Sequence, residues 1–285
     1  MNKNLPAHIL LRFYRMKKEQ LIAFMVVALK GGIRDRVLAA IMVVGLFLLL
    51  TTPVVAVFSM RQVLALATSY SLSTIGLMGL LLTLYLAMGL LARDLEQGQI
   101  HTVCSLPISR SIYLLGKFLG LAILILMAVA ILGFFSAAAL FLLERIYPPE
   151  KAFVWTAFFI GLWFQYWVFL ILGAITLLFS TVATSNFLPL ALSVGIYFGS
   201  YSTEAVRYFV QSGAGKERLD PAMRVIGQAV YWILPDFSAF DLKSQIVYGL
   251  ALNAKALLLT QLYGLAYLGV LLVMATWAFS RREFV

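Results

Sequence analysis

Six stretches of this chain stay apolar before a charged residue interrupts them: residues 37–58, 74–92, 118–143, 153–182, 188–200 and 256–279. A membrane-crossing helix needs ~20 mostly apolar residues for ~30 Å of hydrocarbon. Lipid-exposed backbone must satisfy its own hydrogen bonds, so each run is predicted to be a spanning helix. The fifth is short and could extend to about residue 210, whereas the fourth is long. Three further segments do not span. Residues 20–36 read apolar from Leu21 to Leu29 and then turn basic. They are too short to cross, and they reach the first span without room for a reversal. They fit an interfacial elbow helix on the inner leaflet, with Lys30, Arg34, Asp35 and Arg36 among the headgroups. A basic flank on a longer first helix is the blander reading. The second segment is the inner loop 93–117. The third, outer segment 201–255, is too long for a plain connector. Its apolar Val230-Tyr231-Trp232-Ile233-Leu234-Pro235 run suits a re-entrant segment that dips into the outer interface.

Six spans place both termini on one side. With the termini inside, the inner segments 1–36, 93–117, 183–187 and 280–285 carry thirteen basic and five acidic residues, a net +8. The rest of the chain carries nine basic and seven acidic, a net +2. Excess Lys and Arg mark cytoplasmic loops, so the asymmetry predicts cytoplasmic termini. Composition agrees. Hydrophobic residues are 62% of the 285, charged residues 12%, and mean hydropathy is +0.96, against roughly a quarter charged in a soluble domain. The overall charge of +10 is therefore read as a membrane-orientation signal, and no nucleic-acid partner is expected. A single transmembrane domain over 1–285 accounts for the whole length. The basic, polar first twenty residues have no short apolar core followed by small residues, so no cleavable signal is expected. The lone Cys104 excludes an internal disulfide framework.

Little in the chain can do chemistry. His101 and Cys104 have an H-x-x-C spacing, but a closed zinc site takes four ligands and no second pair exists, so no metal is expected. The ten methionines are scattered through the spans and read as apolar filler. Residues 212–217 (SGAGKE) superficially resemble a phosphate-binding loop. Val210 stands where its first glycine belongs, and Glu217 replaces the magnesium-holding hydroxyl. No catalytic residue is expected. The predicted span interiors contain no Asp, Glu, Lys, Arg or His, whereas ion-driven carriers place such groups or broken helices at mid-membrane depth. Ser71, Ser73, Gln165 and Tyr166 are polar, but such groups also knit helices together. Energy for any transport should therefore arrive from a partner. In the fifth span Ala191, Gly195 and Gly199 recur every four residues. That small-residue stripe permits close helix approach, either at a seam between two copies or inside one.

In the inner loop, Ile100, Val103 and Leu106 share a helical face, acidic residues precede it, and Pro107 ends it. This pattern predicts a short amphipathic helix on the cytoplasmic side. It is either a knob for a soluble partner or a structured connector. The loop resembles that of type-2 ABC exporter (ABC-2) permeases, especially the subgroup of copper-enzyme-maturation and gliding-motility transporters. The matching positions are Asp94, Glu96, Gly98, Ser105, Pro107, Ile108, Ser109, Arg110, Gly116 and Lys117. Asp94 departs from the more usual Glu, and Gln99 from the usual Thr. Arg34-Asp35-Arg36, Leu234-Pro235-Asp236-Phe237 with Phe240-Asp241, and Arg281-Arg282-Glu283 also look like the family's, so the resemblance covers essentially the whole chain.

The resemblance implies an all-α integral membrane protein of six spans in a bacterial or archaeal inner membrane. It would pair with a second permease copy, as a homodimer or occasionally a heterodimer, and with two copies of a separate cytoplasmic ATPase that binds ATP and magnesium. Residues 95–107 would be the coupling helix, with Asp94, Glu96, Gly98, Ile100, Val103, Leu106, Pro107, Arg110 and Lys117 around the contact. A non-transporting assembly or signalling subunit would use the same coupling parts. A membrane-embedded enzyme would need convergent ionisable residues within the spans, and the sequence has none. The aromatic fourth span (Trp155, Trp163, Trp167) suits a lipid-like or amphipathic cargo and equally suits contact with lipid.

Overall fold

The computed structural model describes residues 7–59, 62–96, 110–148, 152–183, 185, 187–211 and 233–281. Regular structure among these residues is wholly helical: α1 Ala7–Ile33, α2 Arg36–Leu50, α3 Thr52–Val57, α4 Val63–Glu96, α5 Arg110–Ile146, α6 Trp155–Val182, α7 Phe187–Gln211, a 3-10 turn Ser238–Phe240, α8 Lys243–Tyr248 and α9 Ala254–Arg281. Five stretches are long and apolar enough to cross a membrane, namely Arg36–Val57, Val63–Leu90, Arg110–Ile146, Trp155–Val182 and Ala254–Arg281. They coincide with five of the six predicted spans. The remaining one, 188–200, falls within α7. That helix has 25 residues, about 37 Å at ~1.5 Å per residue, but its second half turns polar at Ser200, Tyr201, Ser202 and Thr203.

The helices overrun the apolar runs. α4 begins at Val63 rather than 74, because the polar Thr68-Ser69-Tyr70-Ser71 cluster does not break it. Thr68 Oγ1 donates back to the Leu64 carbonyl at 2.7 Å, which satisfies the hydroxyl without solvent. At the other end of the bilayer the segment expected as inner loop 93–117 is helical at both margins. α4 runs through Asp94 and Glu96, and α5 starts at Arg110. The first span is two helices. Asp35 caps α2 by accepting from the Val37 amide at 2.8 Å. α2 ends at Thr51, and Pro53, which cannot donate to the helical ladder, opens α3.

α6 is the centre of the bundle. Of its most apolar window 78% is buried, against 11% for α9 and 22% for the first span. It packs against α4, α5, α7 and α9. The outer faces of α2, α5 and α9 carry exposed Phe47, Phe134 and Val273, the surface expected to meet lipid.

α1 lies along α5 in the same direction, since Phe24, Ala28 and Gly32 meet Gly116, Gly120 and Leu124 in turn. The approach is close. A Cβ on Gly116 would lie 2.8 Å from Phe24 Cβ and 2.9 Å from the Leu21 carbonyl oxygen, and one on Gly120 would lie 2.6 Å from Ala28 Cβ and 3.0 Å from the Met25 carbonyl oxygen. The Gly116-x-x-x-Gly120 pair thus brings two backbones together, as small residues do between membrane helices. Phe24 meets Tyr113 edge-on at 5.2 Å, and Tyr113 stacks on Phe279 of α9 at 5.9 Å, which ties three helices at the predicted inner end.

Candidate transport pathway and coupling elements

On the predicted outer side, the motif Leu234-Pro235-Asp236-Phe237 with Phe240-Asp241 seats the outer segment in the bundle. Asp236 Oδ1 accepts from the Ser238 hydroxyl at 2.6 Å, the Ser238 amide at 3.0 Å and the Thr203 hydroxyl at 3.3 Å. The turn is thereby pinned to α7. Phe237 and Phe240 are buried. Phe237 sits 6.0 Å from the Tyr197 ring and 5.9 Å from Tyr201, and Phe240 sits 6.0 Å from Phe164 and 6.2 Å from Tyr263. Two aromatic plugs therefore anchor the described part of this segment that follows residue 233.

Beneath this segment lies a cavity of about 300 Å³ between α4, α6, α7 and α8. One stripe of α4 (Ser73, Gly76, Leu77, Leu80) forms a wall, Gln165 of α6 projects from the opposite side, and Asp241 and Lys243 stand in the lining. Lys243 Nζ donates to Ser73 Oγ at 2.5 Å, and Asp241 Oδ1 accepts from the Lys243 amide at 3.0 Å. Gln165 Nε2 donates to the Leu72 carbonyl at 3.1 Å. Leu77 and Phe198, exposed to 51% and 62%, line the same space and open it sideways between α4 and α7.

A smaller cavity of about 160 Å³ lies towards the predicted inner side, where α1, α4 and α5 converge. Here Tyr85 of α4 donates to the Asp35 carboxylate, 2.9 Å from each oxygen. The residue that starts α2 is thus latched to α4. Lys30, Arg34 and Arg36 are exposed around this junction.

The residues expected to meet a partner separate into three groups. Gly98, Ile100, Val103, Leu106 and Pro107 lie outside the described residues, as do His101, Cys104 and residues 212–217. Asp94 and Glu96 form the last turn of α4. Arg110 and Lys117 are engaged within the chain. Arg110 donates to the Ser280 carbonyl at 3.2 Å and so clips the start of α5 to the end of α9. Lys117, placed by its charge at the edge of the loop, is two turns inside α5 and only 7% exposed. Its Nζ reaches the Leu90 carbonyl at 3.4 Å and stands 5.5 Å from the Tyr113 ring. Nothing between Arg110 and Phe118 breaks a helix, so hydropathy alone marked the boundary too late.

Of the stripe expected as a seam, Ala191 and Gly195 are exposed, and a Cβ on Gly195 would meet nothing within 4 Å. Gly199 lies under Leu234, 3.2 Å from a Cβ built there. Packing inside one copy therefore occupies only the Gly199 end.

Sequence reasoning passed over Tyr85 and Lys243, and took Asp241 only as part of the outer motif. The alternation that points to the cavity, a hydroxyl and a glycine at 73 and 76 within a leucine stripe on α4, is visible in the sequence. Ser73 and Gln165 were read there as helix-knitting groups. Among the described residues, no three His, Cys, Asp or Glu side chains converge on a point that could hold a metal.

No individual curated protein matches the chain significantly. The family model described as ABC-2 family transporter protein matches residues 60–284, from the start of α4 to the end of the chain. With its five crossing-length helices, this multi-pass membrane chain belongs to the ABC-2 transporter family.

Proposed function

We propose that this chain is the permease subunit of an ABC exporter of six spans with both termini in the cytoplasm, moving an amphipathic or lipid-like substrate. A separate cytoplasmic ATPase, present in two copies and holding ATP and magnesium, drives it. A second permease copy meets this one along the Ala191–Gly195 face of α7, which the chain itself leaves open. The observation that carries the reading is the pair of helices around residues 97–109. α4 has 34 residues and α5 has 37, about 51 and 55 Å of helix at ~1.5 Å per residue. Both exceed the ~30 Å hydrocarbon core, and on the side of residues 97–109 α4 continues four residues past 92 while α5 starts eight residues before 118. A rigid pair of struts with an amphipathic knob at its tip suits a motor that closes and opens beneath it. ATP binding closes the ATPase dimer, and the two struts follow as a two-state element biased by ligand.

The elbow role falls to the turn between α1 and α2, where Lys30, Arg34 and Arg36 are exposed at the inner leaflet, since α1 itself runs along α5.

The test is co-purification of a tagged chain with its soluble ATPase. Val103→Asp with Leu106→Asp places two charges on the predicted docking face and should reduce recovered ATPase at least tenfold. Undiminished recovery from a folded double variant removes the coupling assignment.

A further inference from the structure

We infer that the cavity between α4, α6, α7 and α8 binds a phospholipid-like amphiphile of the outer leaflet, its zwitterionic phosphate-and-amine head at Lys243 and Asp241 and its alkyl chain along α4 and α7. The inference deepens the proposed function by locating a substrate class. It rests on that reading's orientation of the helices but not on ATP coupling.

The volume, about 300 Å³, sits at the lower end of the ~300–1,000 Å³ typical of small-molecule sites. Its shape and chemistry are divided. One end holds opposite charges on adjacent turns of the outer segment, and the other is Leu77, Leu80 and Phe198. The ammonium of Lys243 has three donors, of which Ser73 takes one. Asp241 uses one carboxylate oxygen on the Lys243 amide, and its other oxygen has no hydrogen-bond partner among the described residues. An anionic head alone would gain Lys243 but face Asp241, and a cationic head alone would have the reverse conflict. A zwitterion satisfies both charges. Between the two ends, Gln165 spends its amide nitrogen on the Leu72 carbonyl. Its carbonyl oxygen has no partner among the described residues, and it offers a further acceptor to an ammonium or hydroxyl. A purely apolar occupant would leave these polar groups without partners of their own.

The access route fits a molecule already in the membrane. α4 and α7 barely touch, and the exposed Leu77 and Phe198 flank the gap on its lipid side. Gly76 keeps the passage open. A Cβ there would lie 2.8 Å from Gln165 Nε2, so any larger side chain fills the space next to the only polar group on that wall of α6.

The full chain in dodecyl maltoside, whose head is uncharged, is photolabelled with lysophosphatidylethanolamine carrying a diazirine in its chain, and labelled peptides are read by mass spectrometry. Labelling should concentrate on the peptides holding Leu77 and Phe198. Unlabelled lysophosphatidylethanolamine should abolish it, whereas lysophosphatidylglycerol and free phosphoethanolamine should compete at least tenfold less well. Lys243→Gln and Gly76→Leu should each lower it about tenfold. Asp241→Asn provides an independent rim variant if either of those fails to fold, and it should give the same loss. Labelling spread evenly over α2 and α9, or insensitive to the rim variants in folded protein, overturns the site. Equal competition by lysophosphatidylglycerol overturns the zwitterionic head, and displacement by phosphoethanolamine overturns the role of the chain. Absent labelling in protein that still captures its ATPase counts against the cavity alone. Cavity labelling in protein that captures no ATPase upholds the site and counts against the permease reading.

Discussion

Gly120→Ala adds one methyl group at the point where α1 and α5 come closest. The new carbon would sit 2.6 Å from Ala28 Cβ and 3.0 Å from the Met25 carbonyl oxygen, while carbons in contact prefer ~3.5–4.0 Å. Neither obstacle can rotate away, because one is a Cβ and the other is backbone. The helices must therefore separate by about 1 Å over this turn, and overpacking of this kind costs about 1–3 kcal/mol. Alanine returns up to about 1 kcal/mol of helix propensity relative to glycine. The net loss, up to about 2 kcal/mol, shifts an equilibrium by up to roughly 30-fold. The equilibrium in question is undocking of α1, and Lys30, Arg34 and Arg36 at the α1–α2 junction offer trypsin its cleavage sites. Where opening and closing are fast, cleavage tracks the population of the open form, so the variant in detergent should be cut at this junction about ten times faster than the native chain. Gly31→Ala is the matched control. It lies in α1, the other helix of the pair, with nothing within 4 Å of the added carbon, so the propensity gain should leave cutting unchanged or slower. Equal acceleration by both variants, or no acceleration by Gly120→Ala, would refute close packing of α1 on α5.

Tyr85→Phe removes both hydrogen bonds to Asp35. Hydrogen bonds to charged groups are worth about 1.5–3 kcal/mol, and the half-buried carboxylate puts this one near the low end. The apparent Tm should fall by a few degrees, and an unchanged melting curve would mean that the latch bears no load. Gly195→Leu introduces a side chain into open space within one copy. It should leave the thermal stability of the single chain intact while weakening subunit association, as read by mass photometry. Unchanged oligomer size would exclude the α7 stripe as the seam.

Much of the architecture was legible because a bilayer imposes one rule on all crossing segments. Hydropathy therefore found residues 37–58, 74–92, 118–143, 153–182 and 256–279, each of which lies in a crossing-length helix or, for the first, a broken pair. Helix ends were less legible, since hydropathy reports lipid contact and not hydrogen bonding. Thr68 folds its hydroxyl onto the preceding turn, and Lys117 sits between apolar neighbours within α5, so neither polar residue ends its helix. The break between α2 and α3 before Pro53 was equally hidden, because its apolar flanks keep the run continuous. The outer motif at 234–241 was recognisable as a pattern. Its role was not, since Phe237 and Phe240 act as plugs only through rings contributed by α6, α7 and α9. The cavity was least visible of all. Ser73, Gln165, Asp241 and Lys243 are scattered over 171 positions of sequence, and each alone reads as an ordinary polar side chain.

α4 connects these separate features into one mechanical element. Its first half forms the cavity wall at Ser73, Gly76 and Leu77, its last third holds the Asp35 latch through Tyr85, and its last turn carries Asp94 and Glu96. No proline interrupts it, and kinks arise mostly at prolines or inserted groups. A load applied to the proposed coupling segment at 95–107 therefore enters the same rod that borders the amphiphile site. Under the proposed coupling, the lack of ionisable residues in the predicted span interiors is no obstacle to energised transport, because displacement would replace proton or sodium binding as the signal. The latch sets where that rod can pivot. With Asp35 held, movement of α4 carries the α1–α2 junction and, through the Gly116–Gly120 contact, the start of α5. With Asp35 released, α4 keeps its packing on α5 and α6 but loses its tie to the α1–α2 junction. Tyr85→Phe should accordingly leave ATPase capture intact while reducing the nucleotide dependence of cavity labelling. Full retention of that dependence would show that the Asp35 latch takes no part in the transmission.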